Sequence, residues 1–259
     1  MKYITLVVLA SLTFFACKNN STNTESSSVT EVNQIDYPEA IDEVFDQHGT
    51  LAHWKKMKTM SYEIVKENGN EKQIIDLQNR RERIEASDFT SGYDGKEYWV
   101  EADTTYKGNP KFYTNLMFYF YAMPFVLADE GIIFTKAEPI TFEGTTYPGY
   151  RISYGEGIGV SPEDEYFIHY DAKTKEMAWL GYTVTFYSGK KSEKVKWIRY
   201  NDWKNFKGLK LPNSMTWYNV EDGKITEPRN TREFVNVNLS ETKVDDSTFA
   251  KTAGARVVD

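Results

Sequence analysis

Ala178-Trp179-Leu180-Gly181-Tyr182-Thr183-Val184-Thr185-Phe186-Tyr187 is the stretch that decides the fold class. Apolar residues stand at 178, 180, 182, 184 and 186, with Trp179, Gly181, Thr183, Thr185 and Tyr187 between them. Successive side chains of a strand point to opposite faces. This period of two therefore predicts a long strand over 176–187, with its first set facing the interior. The same pattern recurs over 59–66, 71–78, 80–86 and 96–102, and again over 132–137, 139–143, 149–154, 165–170, 193–200, 213–220 and 230–239. Asn68-Gly69, Asp94-Gly95, Ser188-Gly189 and Asp222-Gly223 punctuate these runs, and such pairs favour hairpin turns. Long strands joined by short turns predict a mainly β (α+β) protein. Its form is a strongly curved antiparallel sheet making an incomplete barrel, closed by a few helices, rather than a parallel α/β fold.

Two segments break the period. Pro38 can open a helix in which Ile41, Val44 and Phe45 share one face and acidic residues fill the first turn. His48-Gly49 ends it, and a second short helix can carry Leu51, Trp54 and Met57. The other interruption lies at 109–130, where Leu116 to Ala128 has no charge and includes Met117, Phe118, Phe120, Met123 and Phe125. Thirteen residues are too few to cross a bilayer, which takes about 20. The stretch predicts an apolar helix over 112–127 laid across the concave face of the sheet, with Pro124 kinking or stopping it.

The N-terminus reads differently again. Lys2 precedes an apolar or hydroxylic run from Ile4 to Ala16, the order of a secretory signal. Cys17, the only cysteine, stands at its end, so one chain can hold neither a disulfide nor a cysteine metal site. From Lys18 to Asp36 the chain is rich in Asn, Ser and Thr and cannot bury enough surface to fold. The expected organisation is a signal peptide over 1–16, an anchored and disordered tether over 17–36, and a single domain over 37–259. With a net charge of −7 and no basic block, the chain is a poor nucleic-acid binder.

Motifs for chemistry are scarce. No G-x-S-x-G, phosphate loop, H-E-x-x-H or EF-hand loop occurs. His48 and His53 are five apart, which does not put two metal ligands on one helix face, so no metal and no cofactor are expected. Glu163-Asp164-Glu165 and Asp129-Glu130 could supply the two carboxylates of a glycoside hydrolase. Both adjoin turn signals, where acidic residues are usually solvated. Gly155-Glu156-Gly157-Ile158-Gly159 lacks a βαβ context and reads as a loop. The 15% aromatic content is unusual, and it fits either core packing or a half-open apolar pocket.

Two resemblances add expectations. A signal ending in Ala16-Cys17 resembles bacterial lipoproteins, in which the cysteine takes a diacylglycerol. Phe14 departs from their usual aliphatic residue, and Lys18, where inner-membrane lipoproteins carry aspartate, points toward the outer membrane. The phrase Tyr200-Asn201-Asp202-Trp203-Lys204-Asn205-Phe206-Lys207-Gly208-Leu209-Lys210-Leu211-Pro212 resembles a turn-to-strand segment of proteins related to the Lol-type (LolA and LolB) lipoprotein carriers, with Pro212 marking a strand boundary. His48-Gly49 with Trp54, and Met123-Pro124-Phe125, resemble positions of uncharacterised envelope lipoproteins of the same layout. The resemblance implies a half-barrel around an apolar cavity, where the carriers hold acyl chains. Its motifs mark architecture and not a reacting centre, and with no catalytic motif in the chain no enzyme activity is expected. Its partners are the membrane, through lipid on Cys17, and a lipid or lipoprotein ligand, with the protein at the outer membrane facing the periplasm. Phe118, Phe125, Leu180, Tyr182, Val184 and Phe186 are the residues expected along the cavity. An envelope hydrolase and a structural or assembly lipoprotein are the alternatives.

Overall fold

The computed structural model describes residues 37–104, 106–154 and 163–258. Expectations for 1–36, Cys17 among them, and for the Gly155–Gly159 run lie outside the described residues.

Helix α1 (Glu39–Gln47) begins after Pro38, carries Glu39 and Asp42 in its first turn, and buries Ile41, Val44 and Phe45. A one-turn helix, α2 (Leu51–Trp54), follows and buries Trp54. The chain then runs as a meander through β1 (Thr59–Ile64), β2 (Glu71–Asp76), β3 (Glu82–Glu85), β4 (Phe89–Tyr93) and β5 (Tyr98–Ala102). After a helical interlude a second meander runs through β6 (Ile132–Phe142), β7 (Thr145–Tyr154), β8 (Tyr166–Tyr170) and β9 (Met177–Tyr182), and on through β10 (Lys196–Phe206), β11 (Leu209–Glu221) and β12 (Lys224–Ser240). A short strand, β13 (Arg256–Val258), adds to the β5 edge.

The strand order is β13-β5-β4-β3-β2-β1-β12-β11-β10-β9-β8-β7-β6, antiparallel throughout. The last long strand thus returns to pair with the first, joining the two meanders at the middle of the sheet. The sheet does not close into a barrel, since β13 and β6 remain its two edges.

One face carries the main core. Met60, Tyr62 and Ile64 of β1 meet Leu180 and Tyr182 of β9, Ile198 and Tyr200 of β10, and Leu209, Leu211 and Met215 of β11, together with the helices. Burying side chains of this size contributes roughly 1.5–3 kcal/mol each. A second cluster lies on the opposite face of β9 and β10. There Trp179 packs against Phe142 (4.8 Å) and Tyr218 (5.0 Å), which reach it from the β6–β7 and β11–β12 hairpins. The Arg199 guanidinium covers the Trp179 ring at 4.9 Å.

Several sequence expectations are corrected here. The strand read over 176–187 stops at Tyr182, so Val184 and Phe186 lie beyond it, and every residue of β9 is buried. A bulge opposite His169 and Tyr170 puts Ala178 in the second cluster with Trp179. The helix read over 112–127 is three short pieces: α3 (Pro110–Tyr113), α4 (Leu116–Tyr121) and a 3-10 turn at Phe125–Ala128. Asn115 causes the first break. It takes φ 59, its amide N–H donates to the Glu82 carboxylate (2.5 Å), and its side chain donates to the Arg80 carbonyl (2.9 Å). Pro124 makes the second break, because its ring removes a helix donor. Pro212 does not mark a strand boundary; it lies inside β11 opposite Trp203, beside a register shift that absorbs its missing donor. The runs 132–137 and 139–143 form one strand that bulges around Pro139.

Candidate functional site

The motifs that carried the resemblance converge in space. His48, fully buried, accepts the Met177 N–H at Nε2 (3.1 Å), so its proton sits on Nδ1 and goes to the Lys210 carbonyl (3.3 Å). Its ring meets Trp203 edge-on at 4.3 Å. Trp54 stacks on Phe125 at 4.8 Å and 8°. Gly49 takes φ 106, and a Cβ there would stand 2.1 Å from the Gly208 carbonyl oxygen. Gly208 forms the β10–β11 turn with φ 87, and a Cβ on it would meet His53 at 2.9 Å. Burial holds the His48 pKa down to about 4 and the His169 pKa likewise, so both rings are neutral at pH 7. This cluster locks helix to sheet, with His48, Trp54 and Phe125 buried at its centre.

The open space is elsewhere. A cavity of about 430 Å³ lies where the sheet fails to close, between β4 and β5 on one side and β6 to β8 on the other, beneath the helical interlude. That volume falls in the ordinary range for small-molecule pockets, about 300–1,000 Å³. Its wall is largely aromatic and aliphatic, with Tyr98, Phe112, Tyr119, Leu127, Tyr154 and Tyr166 among its members. Arg80, Lys111, Asp129, Glu130 and Asp164 supply charge. Arg80 donates to Asp129 at 2.6 Å and lies 5.1 Å over the Phe118 ring.

Of the residues expected along the cavity, only Phe186 lines it, where it packs on Phe112 at 5.0 Å. Phe118, Phe125, Leu180 and Tyr182 are buried in the main core instead, and Val184 packs half-buried against it. Apolarity marks a side chain for burial but not for burial beside a void. Asp129, Glu130 and Asp164, read in sequence as solvated loop acids, line this one cavity. Asp164 is only 9% exposed and accepts the Thr185 N–H at 2.7 Å. A carboxylate beside a turn looks the same in sequence whether it faces water or a pocket.

A separate polar network sits inside β1 to β3. Glu71 and Glu82 are fully buried. Glu71 accepts from Tyr113 (2.7 Å), Gln73 (2.8 Å) and Lys66, while burial pushes the Glu82 carboxyl up to about 8. Among the described residues no group of three or more His, Cys, Asp or Glu is placed to hold a metal ion.

The model of a family of unknown function, DUF6503, matches residues 94–228, from the turn before β5 into β12. The chain belongs to DUF6503. The matched span carries most of the cavity wall of this DUF6503 protein, including Tyr98, the helical interlude, Tyr154 and Asp164. No curated protein matches the chain. Similar solved structures include a DUF1329 family protein from Desulfovibrio piger, at 9% identity over 82% of this chain and 98% of that one, with a TM-score of 0.47. The LolA superfamily protein NE2245 from Nitrosomonas europaea is another, at 9% identity over 75% of this chain and 89% of that one, with a TM-score of 0.45.

Proposed function

We propose that this protein is a non-enzymatic binding protein of the cell envelope, tethered by lipid on Cys17, that holds an acyl chain or another apolar ligand in the 430 Å³ cavity. The observation that carries the reading is the cavity itself, an aromatic and aliphatic slot at the unclosed seam of the sheet. Burying a 14-carbon chain at ~0.8 kcal/mol per CH₂ supplies on the order of 10 kcal/mol before ordering costs. Two of the three cavity carboxylates already have internal partners, Asp129 in Arg80 and Asp164 in the Thr185 amide. That favours binding over acid–base chemistry. Lipid or lipoprotein trafficking at the outer membrane is the role such a carrier would serve.

The test is to isolate the full chain from its own envelope, extract it with organic solvent and identify what is released by mass spectrometry. A stoichiometric apolar molecule is expected. Phe186→Asp, which places a charge on the cavity wall but outside the main core, is expected to abolish that molecule while moving the melting temperature by no more than a few degrees, about 1 kcal/mol at this size. An empty wild-type protein defeats the reading and favours a structural or assembly role.

A further inference from the structure

The cavity wall is selective as well as apolar. Its carboxylates, Asp129, Glu130 and Asp164, outnumber its cations, Arg80 and Lys111, and Arg80 is committed to Asp129. Asp164 differs from its neighbours. Glu165 faces Arg151 at 3.5 Å, whereas Asp164 has no ion-pair partner among the described residues, although it is 91% buried. A buried carboxylate without a cation is costly unless something supplies one. Around it stand tyrosines. The Tyr154 and Tyr166 rings lie edge to face at 6.0 Å, and burial raises both phenols, with the charge of Asp164 adding to the effect. Tyr119 lines the same cavity. Aromatic faces attract cations, most strongly where water is excluded, and they do nothing comparable for a carboxylate or phosphate.

We propose, resting on the apolar-ligand reading of this cavity, that its occupant carries an ammonium group, held by Asp164 and caged by Tyr119, Tyr154 and Tyr166, with its apolar body along Phe112, Leu127 and Phe186. The ligand class is an amine-bearing amphiphile. Its source is either a lipid with an amine headgroup or a free long-chain amine. An anionic amphiphile would meet surplus carboxylate and is disfavoured on charge.

The experiment titrates the full chain with n-octylamine, n-octanol and octanoate at pH 7.5 by calorimetry, below their micelle-forming concentrations. Octylamine is expected to bind about tenfold more tightly than octanol, and octanoate more weakly than either. Asp164→Asn, which keeps an acceptor for the Thr185 amide, should bring octylamine to within about twofold of octanol and leave octanol unchanged. Equal binding of octylamine and octanol by the wild type overturns the proposal and leaves the apolar-ligand reading standing. If none of the three binds and the solvent extract is empty, the apolar-ligand reading falls with it. The wild-type series decides this without any variant having to fold. The extract separates the sources: an amine-headgroup lipid or a free amine supports the proposal, and a captured lipid that lacks an amine overturns it.

Discussion

Gly49→Ala is expected to lower the melting temperature of the full chain by roughly 10 °C. Two penalties combine at this residue. A Cβ would collide with the Gly208 carbonyl oxygen at 2.1 Å, a backbone atom that cannot swing aside. The φ of 106 is also one that L-residues avoid. Overpacking costs about 1–3 kcal/mol and the backbone conformation about 1–2 kcal/mol more, so a loss on the order of 3 kcal/mol follows. At ~2–4 °C per kcal/mol for a chain of this size, the shift is readily measured by thermal unfolding. Gly223→Ala is the control. It has φ 75 and nothing within 4 Å of the added Cβ, so it should lose only about 1 kcal/mol. Equal losses at the two positions would mean that the docking of α1 onto the β10–β11 turn contributes little.

The second large effect is a stability optimum near pH 6.5, set by buried groups that titrate in opposite senses. The pKa values of His48 and His169 are held down to about 4 by burial. The unfolded chain binds those protons first, at about pH 6.5, so their contribution is complete above that pH and is lost as pH falls toward 4. Each unit costs about 1.4 kcal/mol per ring. Glu82 behaves oppositely. Burial raises its pKa to about 8. The unfolded carboxyl ionises near 4.5, so its contribution is full below that value and drains away as pH rises to about 8. Between about 4.5 and 6.5 the two histidines outweigh the one glutamate, and above about 6.5 the glutamate acts alone. Asp76 adds a further loss at the acid end. Burial pushes it upward, but bonds from Asn79, Arg81 and the backbone amides of Gln78 and Asn79 prevail and hold it at about 2, so its contribution fades below about 3.8. From pH 6.5 to 8 the wild type should lose about 2 kcal/mol. Glu82→Gln, neutral throughout, should stay flat over that range and be the more stable protein at pH 8. Parallel curves for the two chains would show that Glu82 ionises normally.

Much of the architecture was legible because it rests on local chemistry. Asn68-Gly69, Asp94-Gly95 and Asp222-Gly223 each sit at the hairpin that their φ > 0 preference predicts, with Gly69 at 103°, Gly95 at 104° and Gly223 at 75°. The apolar stripe of Ile41, Val44 and Phe45 lies against the core. What escaped depended on distant partners. Strand β4 reads Phe-Thr-Ser-Gly-Tyr, too short and too small to show alternation, and it exists because β3 and β5 pair with both of its edges. The break at Asn115 could not be foreseen from the uncharged run that follows it, since it is Glu82, 33 positions away, that takes the Asn115 amide. The same limit applied to the site. Aromatic content announced a pocket or a core without saying which ring belonged to which. The cavity is made by edges that meet in space, so no single stretch of the chain contains its pattern.

The pairing of β1 with β12 has a consequence for how the chain comes to be folded. Thr59 to Ile64 wait for Phe234 to Ser240 to complete the middle of the sheet. A chain delivered N-terminus first, whether from a ribosome or through a pore, therefore carries an open strand edge until almost its whole length has emerged. Non-local pairings of this kind fold slowly, and unpaired edges recruit other chains. The first meander is consequently the part of the molecule most in need of a guardian during synthesis, and a chain stopped before residue 234 would leave that need permanent.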